Sequence, residues 1–504
     1  MVEKQTVADN RGRWMALTAA LLGWMFDGLE MGLFPLIGRP AINALLGPSA
    51  KEEFGLWFSA AIAGFLVGAA TGGVLFGWLG DRIGRVRAMM LSVFTYAIFT
   101  GLCGVATHPW HIAVLRFLSA LGMGGEWSLG VALVMEIWPE RSRVLLAGLV
   151  GTAANIGFLL IAVIGLGLTT FLTEVGSWLA YLLPASWVDA LVADSGWRLL
   201  FFIGATPALL TFFIRLFVPE SERWLHEQEK GATSYWATRD LLGVLIGAAG
   251  AGAIVYVWID KDAELAIRIP VTLIGLLVCL AGYTFPVIRY MQRAGIDIGD
   301  PVHGLRPTLT RMMLAACLGA VALTATWGAN QWNPAWADDL VKNLGPEYRN
   351  ARNYTQICSA TGAVFGTFAG AMLGTWLSRR VTYALLCFLA LGSSLCLYQL
   401  YASYDAGFLF MVFVAGATTS SFYGWMPLYL PELFRTRVRA TGQGFGFNFG
   451  RILAAIGVLQ TGNLMSDVFH NDYPKALTVI TMVYFVGLAL IWVAPETRGQ
   501  PLPE

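Results

Sequence analysis

Residues 77–89 read GWLGDRIGRVRAM, and residues 374–384 read GTWLSRRVTYA. Each is a short basic connector between two long apolar runs, and the second is a worn copy of the first. Two further echoes lie at the same relative places. EIWPERSRVLLAG (136–148) pairs with YLPELFRTRVRATG (429–442), and VPESERW (218–224) pairs with APETRG (494–499). A chain that repeats its connectors in order repeats what they connect.

What they connect is apolar enough to cross a bilayer. A spanning helix takes about 20 apolar residues. That length predicts helices near 14–37, 54–77, 88–106, 110–134, 143–168 and 197–217. A second series is predicted near 312–334, 353–377, 382–401, 406–430, 441–464 and 474–494. Between the sixes, runs 241–259 and 268–288 are also long enough to span, which brings the count to 14; a re-entrant or surface hairpin is the alternative for these two. The fold class expected is an all-α integral membrane protein of two six-helix bundles, 14–218 and 312–494. They are joined by a linker, 219–311, with 1–13 and 495–504 as tails.

Composition agrees. Of 504 residues, 57% are hydrophobic and 13% charged, about half the ~25% usual in soluble domains. Mean hydropathy is +0.62. A net charge of +1 gives no basic field for nucleic acid. The six cysteines lie in apolar runs without a CxxC or a Cys/His cluster, so they read as small buried apolar side chains. No phosphate-binding Walker loop and no cluster of metal ligands appears, so neither an enzyme nor a cofactor is expected. The polar N-terminus lacks a cleavable signal pattern, and the first apolar run reads as a retained helix.

Basic residues set the orientation. Lys4, Arg11, Arg13, Arg82, Arg85, Arg87, Arg141, Arg143, Arg223, Lys230, Arg239, Arg379, Arg380, Arg435, Arg437 and Arg439 fall on one side, whereas turns 107–109 and 402–405 hold none. The basic side is expected to be cytoplasmic, with both termini there, in a bacterial inner membrane. Segment 169–196, with SWLAYLLPASWVDALV, reads as a helix on the outer surface. Tryptophans near helix ends (Trp14, Trp78, Trp110, Trp138, Trp197, Trp492) read as interface anchors.

These motifs resemble the major facilitator superfamily over almost the whole chain. GWLGDRIGRVRAM fits G-x-L-x-D-R-x-G-R-[KR], with Gly77, Asp81, Arg82, Gly84 and Arg85. RFLSALGMGGEW (116–127) is similar to the helix-4 pattern R-x-x-x-x-x-G-x-G. DGLE in helix 1, GMGGEW, EIWPERSR, WRLLFFIGATPAL and the two central helices together resemble the sialate:proton and metabolite:proton symporter group. The group's helix-1 pattern is D-G-[FY]-D; here the second acid is Glu30. The resemblance implies a proton-coupled importer of an organic anion working by alternating access. It also implies an inner-gate latch in which Asp81 meets a helix end of the other half.

The charged residues predicted inside the membrane are few: Asp27, Glu30, Arg116, Glu126 and Arg451. Each costs roughly 2.5–3.5 kcal/mol to insert and is a functional candidate by default. Asp27 and Glu30 are i,i+3 neighbours on one helix face, and a ~1.5 Å rise per residue puts Arg116 at their depth. Asp27, Glu30, Arg116 and Glu126 are therefore the proton-coupling candidates; a static ion pair locking helices 1 and 4 is the alternative. Arg451, which cannot release its proton, suits a fixed countercharge for a carboxylate. Trp327, Asn330, Gln331, Asn155, Gln443 and Asn448 are the polar substrate-site candidates, with interhelical hydrogen bonding the competing role. Trp332 and Trp336 read as an interface belt. The partners expected are a small organic anion, such as an acidic sugar or carboxylate, a proton and the bilayer, with the monomer as the working unit. Two other functions stay open. One is an efflux antiporter, although LAGLVGTAANIGFLLIAVIGLG (146–167) lacks the Gly-Pro kink such exporters carry; the other is a membrane ligand sensor.

Overall fold

A computed structural model describes residues 2–47, 54–138, 142–206, 210, 213–214, 217–260, 263–294, 304–348, 350–469 and 472–503. Among them there is no β-strand. The first half holds α1 (Val2–Leu46), α2 (Phe54–Ile83), α3 (Arg85–Cys103), α4 (Pro109–Ile137), α5 (Arg143–Thr170), α6 (Leu172–Leu179) and α7 (Ala185–Ile203). The linker holds α8 (Glu222–Glu229), α9 (Leu241–Ile259) and α10 (Leu265–Arg293). The second half holds α11 (Leu305–Gly328), α12 (Asn333–Val341), α13 (Ala351–Trp376), α14 (Arg379–Leu400), α15 (Ala406–Ser420), α16 (Phe422–Tyr429), α17 (Arg439–Asn463), α18 (Tyr473–Thr481) and α19 (Val483–Leu490).

Twelve described helical segments are long and apolar enough to cross a membrane, and both central helices are among them. Helix α17, of 25 residues, is more polar, and every residue from Arg439 to Ile452 is buried. The expected helix at 197–217 lies partly outside the described residues, as does Arg141. Helix is the answer hydrocarbon demands, because no water is there to satisfy a free N–H or C=O. Lipid supplies no hydrophobic drive between helices, so close backbone packing holds them together. Helices α1 and α5 show this: a Cβ at Gly28 would strike the Ala154 backbone, and one at Gly157 would strike the Met25 carbonyl.

The sequence echoes prove to be one network built twice. Arg85 Nη1 donates to the Gly80 carbonyl (2.7 Å) and Nη2 to Glu136 (3.2 Å). Arg379 Nη1 donates to the Gly374 carbonyl (2.5 Å) and Nη2 to Glu432 (2.8 Å). The Ser221 hydroxyl donates to Glu136 and the Thr497 hydroxyl to Glu432, both at 2.6 Å. Glu220 accepts the amides of Arg85 and Val86, as Glu496 accepts those of Arg379 and Arg380. Burial holds the Glu220 carboxyl above its usual range, against the N–H groups that favour its charge.

The halves meet along α2 against α17 and along α5 against α13 and α16, and the α9–α10 hairpin packs on α2. Segment 169–196 is a short exposed pair, with Trp178, Tyr181 and Trp187 largely uncovered and a backbone break at Ala193–Gly196. Three expectations about tryptophan fail. Trp78 and Trp197 are buried, and Trp336 packs inside a cluster with Tyr398 and Phe408 instead of lying in an interface belt. Trp14, Trp110 and Trp492 are exposed near helix ends, as anchors are.

Candidate functional site

A chamber with about 960 Å³ of empty space, part of it open to solvent, lies between the two halves. The first half contributes Trp24, Asp27, Gly28 and Met31 from α1, Trp127 from α4, and Gly151, Asn155 and Phe158 from α5. The second contributes Thr326, Asn330 and Gln331 at the end of α11, Gln356 and Ser359 from α13, Ser420 at the end of α15, Tyr423 from α16, and Phe447 and Arg451 from α17. Its aromatic wall crosses the seam: Trp127 and Phe447 stack at 4.2 Å with planes 13° apart, and Trp24 lies 6.1 Å from Trp127. The Arg451 guanidinium sits over the Phe447 ring, 5.1 Å from its centre.

Polar groups in and beside this chamber are short of partners. Among the described residues, Arg451 Nε and Nη1, Asp27 Oδ1, the Tyr423 hydroxyl and both ends of the Gln356 amide are buried with no hydrogen bond. Arg451 and Asp27, both lining the chamber, are within electrostatic reach of one another, as is Glu126 of Asp27. A buried guanidinium with unmet donors can receive a carboxylate, gripping it through two parallel N–H bonds.

The acids divide differently from the pairing that depth suggests. Arg116 bonds Glu30 (2.6 Å), not Asp27. Ser119 also reaches Glu30 (3.4 Å), and Phe34 and Phe65 cover the guanidinium at 4.7 and 4.3 Å. This buried cluster lies off the chamber. Glu126 is also off it, fully buried with its carboxylate lodged where a side chain at Gly23 would be. Neither of its oxygens has a partner among the described residues.

Of the polar candidates, Asn155, Asn330 and Gln331 line the chamber. Asn155 also donates to Thr367 (2.8 Å), tying α5 to α13, and Asn330 donates to Thr419 (2.7 Å). Trp327 is buried against Phe65 and does not line it. Gln443 and Asn448 bind across the seam instead, donating to the carbonyls of Ser128 (2.6 Å) and Gly124 (3.0 Å). Sequence reasoning passed over Trp24, Trp127, Phe158, Gln356, Tyr423 and Phe447. Gln356 carried the same signal as Gln443, an amide inside a spanning run; the aromatics carried none that separates a wall from a core.

The chamber is closed on the side that carries the basic connectors. Asp81 Oδ2 accepts the Thr441 amide (3.0 Å) and hydroxyl (2.5 Å) in the first turn of α17, where free N–H groups and the helix dipole favour an anion. Gly77 allows the approach, since a Cβ there would be 3.0 Å from the Ala440 carbonyl. Gly84 has φ 108°, a turn that delivers Arg85 to Asp81 (2.8 Å) and to the Thr436 carbonyl (3.1 Å). Arg439 joins Glu136 (3.2 Å) and the Pro503 carbonyl (2.7 Å), which brings the chain end to the same side. Arg82 stands apart, bonded to Thr238 (2.7 Å) and lying over Trp78.

Two helical halves around one central polar chamber, closed on one side, are the build of many secondary transporters. Comparison with known proteins points the same way. Residues 16–244 match the Sugar (and other) transporter family. A cis,cis-muconate transport protein of Acinetobacter baylyi is 25% identical over 94% of this chain and 92% of its own. A sialic acid transporter of Escherichia coli is 30% identical over 44% of this chain and 47% of its own. The solved structure of the proton:xylose symporter XylE has a TM-score of 0.65 and 18% identity, covering 98% of each chain. The chain is thus similar to transporters of the major facilitator superfamily, over its first half to the family model and over nearly its whole length to relatives and to the XylE fold.

Proposed function

We propose that this protein imports a small organic carboxylate together with a proton by alternating access, its bundles 14–218 and 312–494 rocking about the chamber. The observation that carries the reading is Arg451. Its guanidinium lines the chamber with two nitrogens unclaimed among the described residues, and Asp27 stands opposite with a free oxygen. One fixed positive charge then serves two anions in turn. Without substrate, the Asp27 carboxylate balances Arg451. When a substrate carboxylate takes Arg451, two negative charges would share one positive charge in a medium of low dielectric, which is costly. A proton on Asp27 removes the excess, so anion and proton load together. Glu126, buried close by on α4, is a second carrier or the relay to Asp27.

The wall of Trp24, Trp127 and Phe447 supports a substrate with a flat, unsaturated or aromatic body, which stacks on ring faces. Cis,cis-muconate and sialic acid, named for the two relatives, are both carboxylic acids. Asn155, Asn330, Gln331 and Gln356 supply hydrogen bonds to whatever else the substrate carries. The basic connectors lie on the latched side, which supports a cytoplasmic latch and a state loading from outside a bacterial inner membrane, with both tails cytoplasmic.

The test is uptake into proteoliposomes with an imposed inward proton gradient, scanning muconate, aromatic acids, hexuronates and sialate. One carboxylate is expected to enter faster with the gradient than without. Asp27→Asn should abolish the gradient's effect and preserve exchange of labelled for unlabelled substrate. Equal loss of both activities would make Asp27 a structural residue and overturn the coupling scheme.

A further inference from the structure

A second, solvent-open cleft lies away from the chamber on the latched side, where α10 ends, α11 begins and the 433–438 connector passes. Its cationic lining is Arg311, Arg435 and Arg437, and its floor includes Met291, Phe434 and Val438. Among the described residues, only Arg437 of the three has a carboxylate partner, Glu227 at 2.7 Å. Among the described residues, Arg311 donates only to the Leu433 carbonyl, at 3.4 Å. Arg435 has a buried Nε without an acceptor among the described residues, and it stands close enough to Arg311 for the two charges to repel. Three guanidiniums that share one acid are not at rest in a half-buried site; an anion between them would relieve both the repulsion and the unmet donors.

We infer that this cavity binds a phosphate-bearing anion, with the phosphate held between Arg311 and Arg435. The planar guanidinium fork matches phosphate oxygens in pairs. Depth argues for the phosphate of an anionic lipid: Arg311 is six residues into α11, about 9 Å from its start at ~1.5 Å per residue, the level of headgroups at an interface. Basic pockets between spanning helices on the positive side receive such headgroups. The apolar floor of Met291, Phe434 and Val438 suits the glycerol backbone of a lipid. The connector that lines it also carries Thr436, whose carbonyl accepts from Arg85, so an occupant would brace the latch from behind.

The probe is phosphatidylglycerol. Purified protein is presented with phosphatidylcholine vesicles containing or lacking it, and lipid retained after re-extraction is read by native mass spectrometry. Arg311→Gln and Arg435→Gln are each expected to weaken retention about tenfold, the worth of one charge-assisted contact. Arg289→Gln removes the same charge from the end of α10, where Arg289 bonds Gln292 outside the cavity, and should change nothing. Inorganic phosphate is the second arm. If it raises the unfolding midpoint of the wild type but not of the two cavity variants, the same contacts serve a soluble phosphate. Equal loss in all three variants, or loss in none together with no phosphate effect, overturns the inference. Should Arg311→Gln fail to fold, Arg435→Gln carries the test, since its side chain makes no hydrogen bond to a described residue.

Discussion

Replacing Asp81 by Asn should open the latch by a calculable amount. Asp81 makes three contacts, but only those crossing between the halves bias the open–closed equilibrium. The Arg85 contact (2.8 Å) lies within the first half and survives in either state. The two bonds from Thr441, at 3.0 and 2.5 Å, cross over and break on opening. Asn keeps an oxygen that can accept them, without the charge. Charge-assisted bonds are about twice as strong as neutral ones, at roughly 1.5–3 against 0.5–1.5 kcal/mol. The loss is then about 1 kcal/mol per bond and ~2 kcal/mol in all, a shift of about 30-fold toward the open latch. Closure is not abolished, because Arg439–Glu136, Gln443–Ser128 and Asn448–Gly124 still cross. The assay is the electron-spin distance between labels at Arg87 and Val381, exposed at the latched ends of α3 and α14, with the native cysteines replaced. A longer-distance population should grow in the variant. An unchanged distance distribution would refute the argument that this carboxylate holds the halves together.

Two further outcomes follow from the chamber and its neighbour. Arg116→Met and Glu30→Gln alone should each destabilise by about 3–5 kcal/mol, because each strands a buried partner, whereas the double variant should recover most of the loss; thermal unfolding in detergent reads this, and a harmless Arg116→Met would remove the pair from the account of helix locking. Arg451→Lys keeps the charge and loses the fork, so substrate affinity should fall about tenfold with the unfolding midpoint unchanged; undiminished affinity by equilibrium binding would take Arg451 out of the anion site.

The latch was legible because its chemistry is local in sequence. Asp81, Gly84 and Arg85 sit within five residues, and a glycine at a positive φ between acid and base signals a turn. The partner's address, the first turn of α17, was legible only through the resemblance. The acid pair shows where reading stops. Asp27 and Glu30 are three residues apart, so their directions differ by about 60° on a helix. That difference is small in sequence terms, yet it separates a residue that faces the chamber and Arg451 from one that faces α4 and Arg116. Depth along the chain predicted that Arg116 would meet an acid of α1, and it does. Which acid it met depended on how α1 is rotated. Gln443 and Asn448 resemble Gln331 in every sequence respect, and the structure spends them on ties across the seam.

By itself, then, the sequence determined the solvent of this protein, the helices that cross it, the duplication of its halves and the residues of its latch. Those properties follow from hydropathy, length and short motifs, which are summed or read along one chain. The tertiary structure alone decided the chamber: its aromatic wall, the pairing of Arg116 with Glu30, and the facing of Asp27 and Arg451. The physical reason is that those contacts join residues hundreds of positions apart, and their geometry is set by the rotation of packed helices, which no periodicity within one helix encodes.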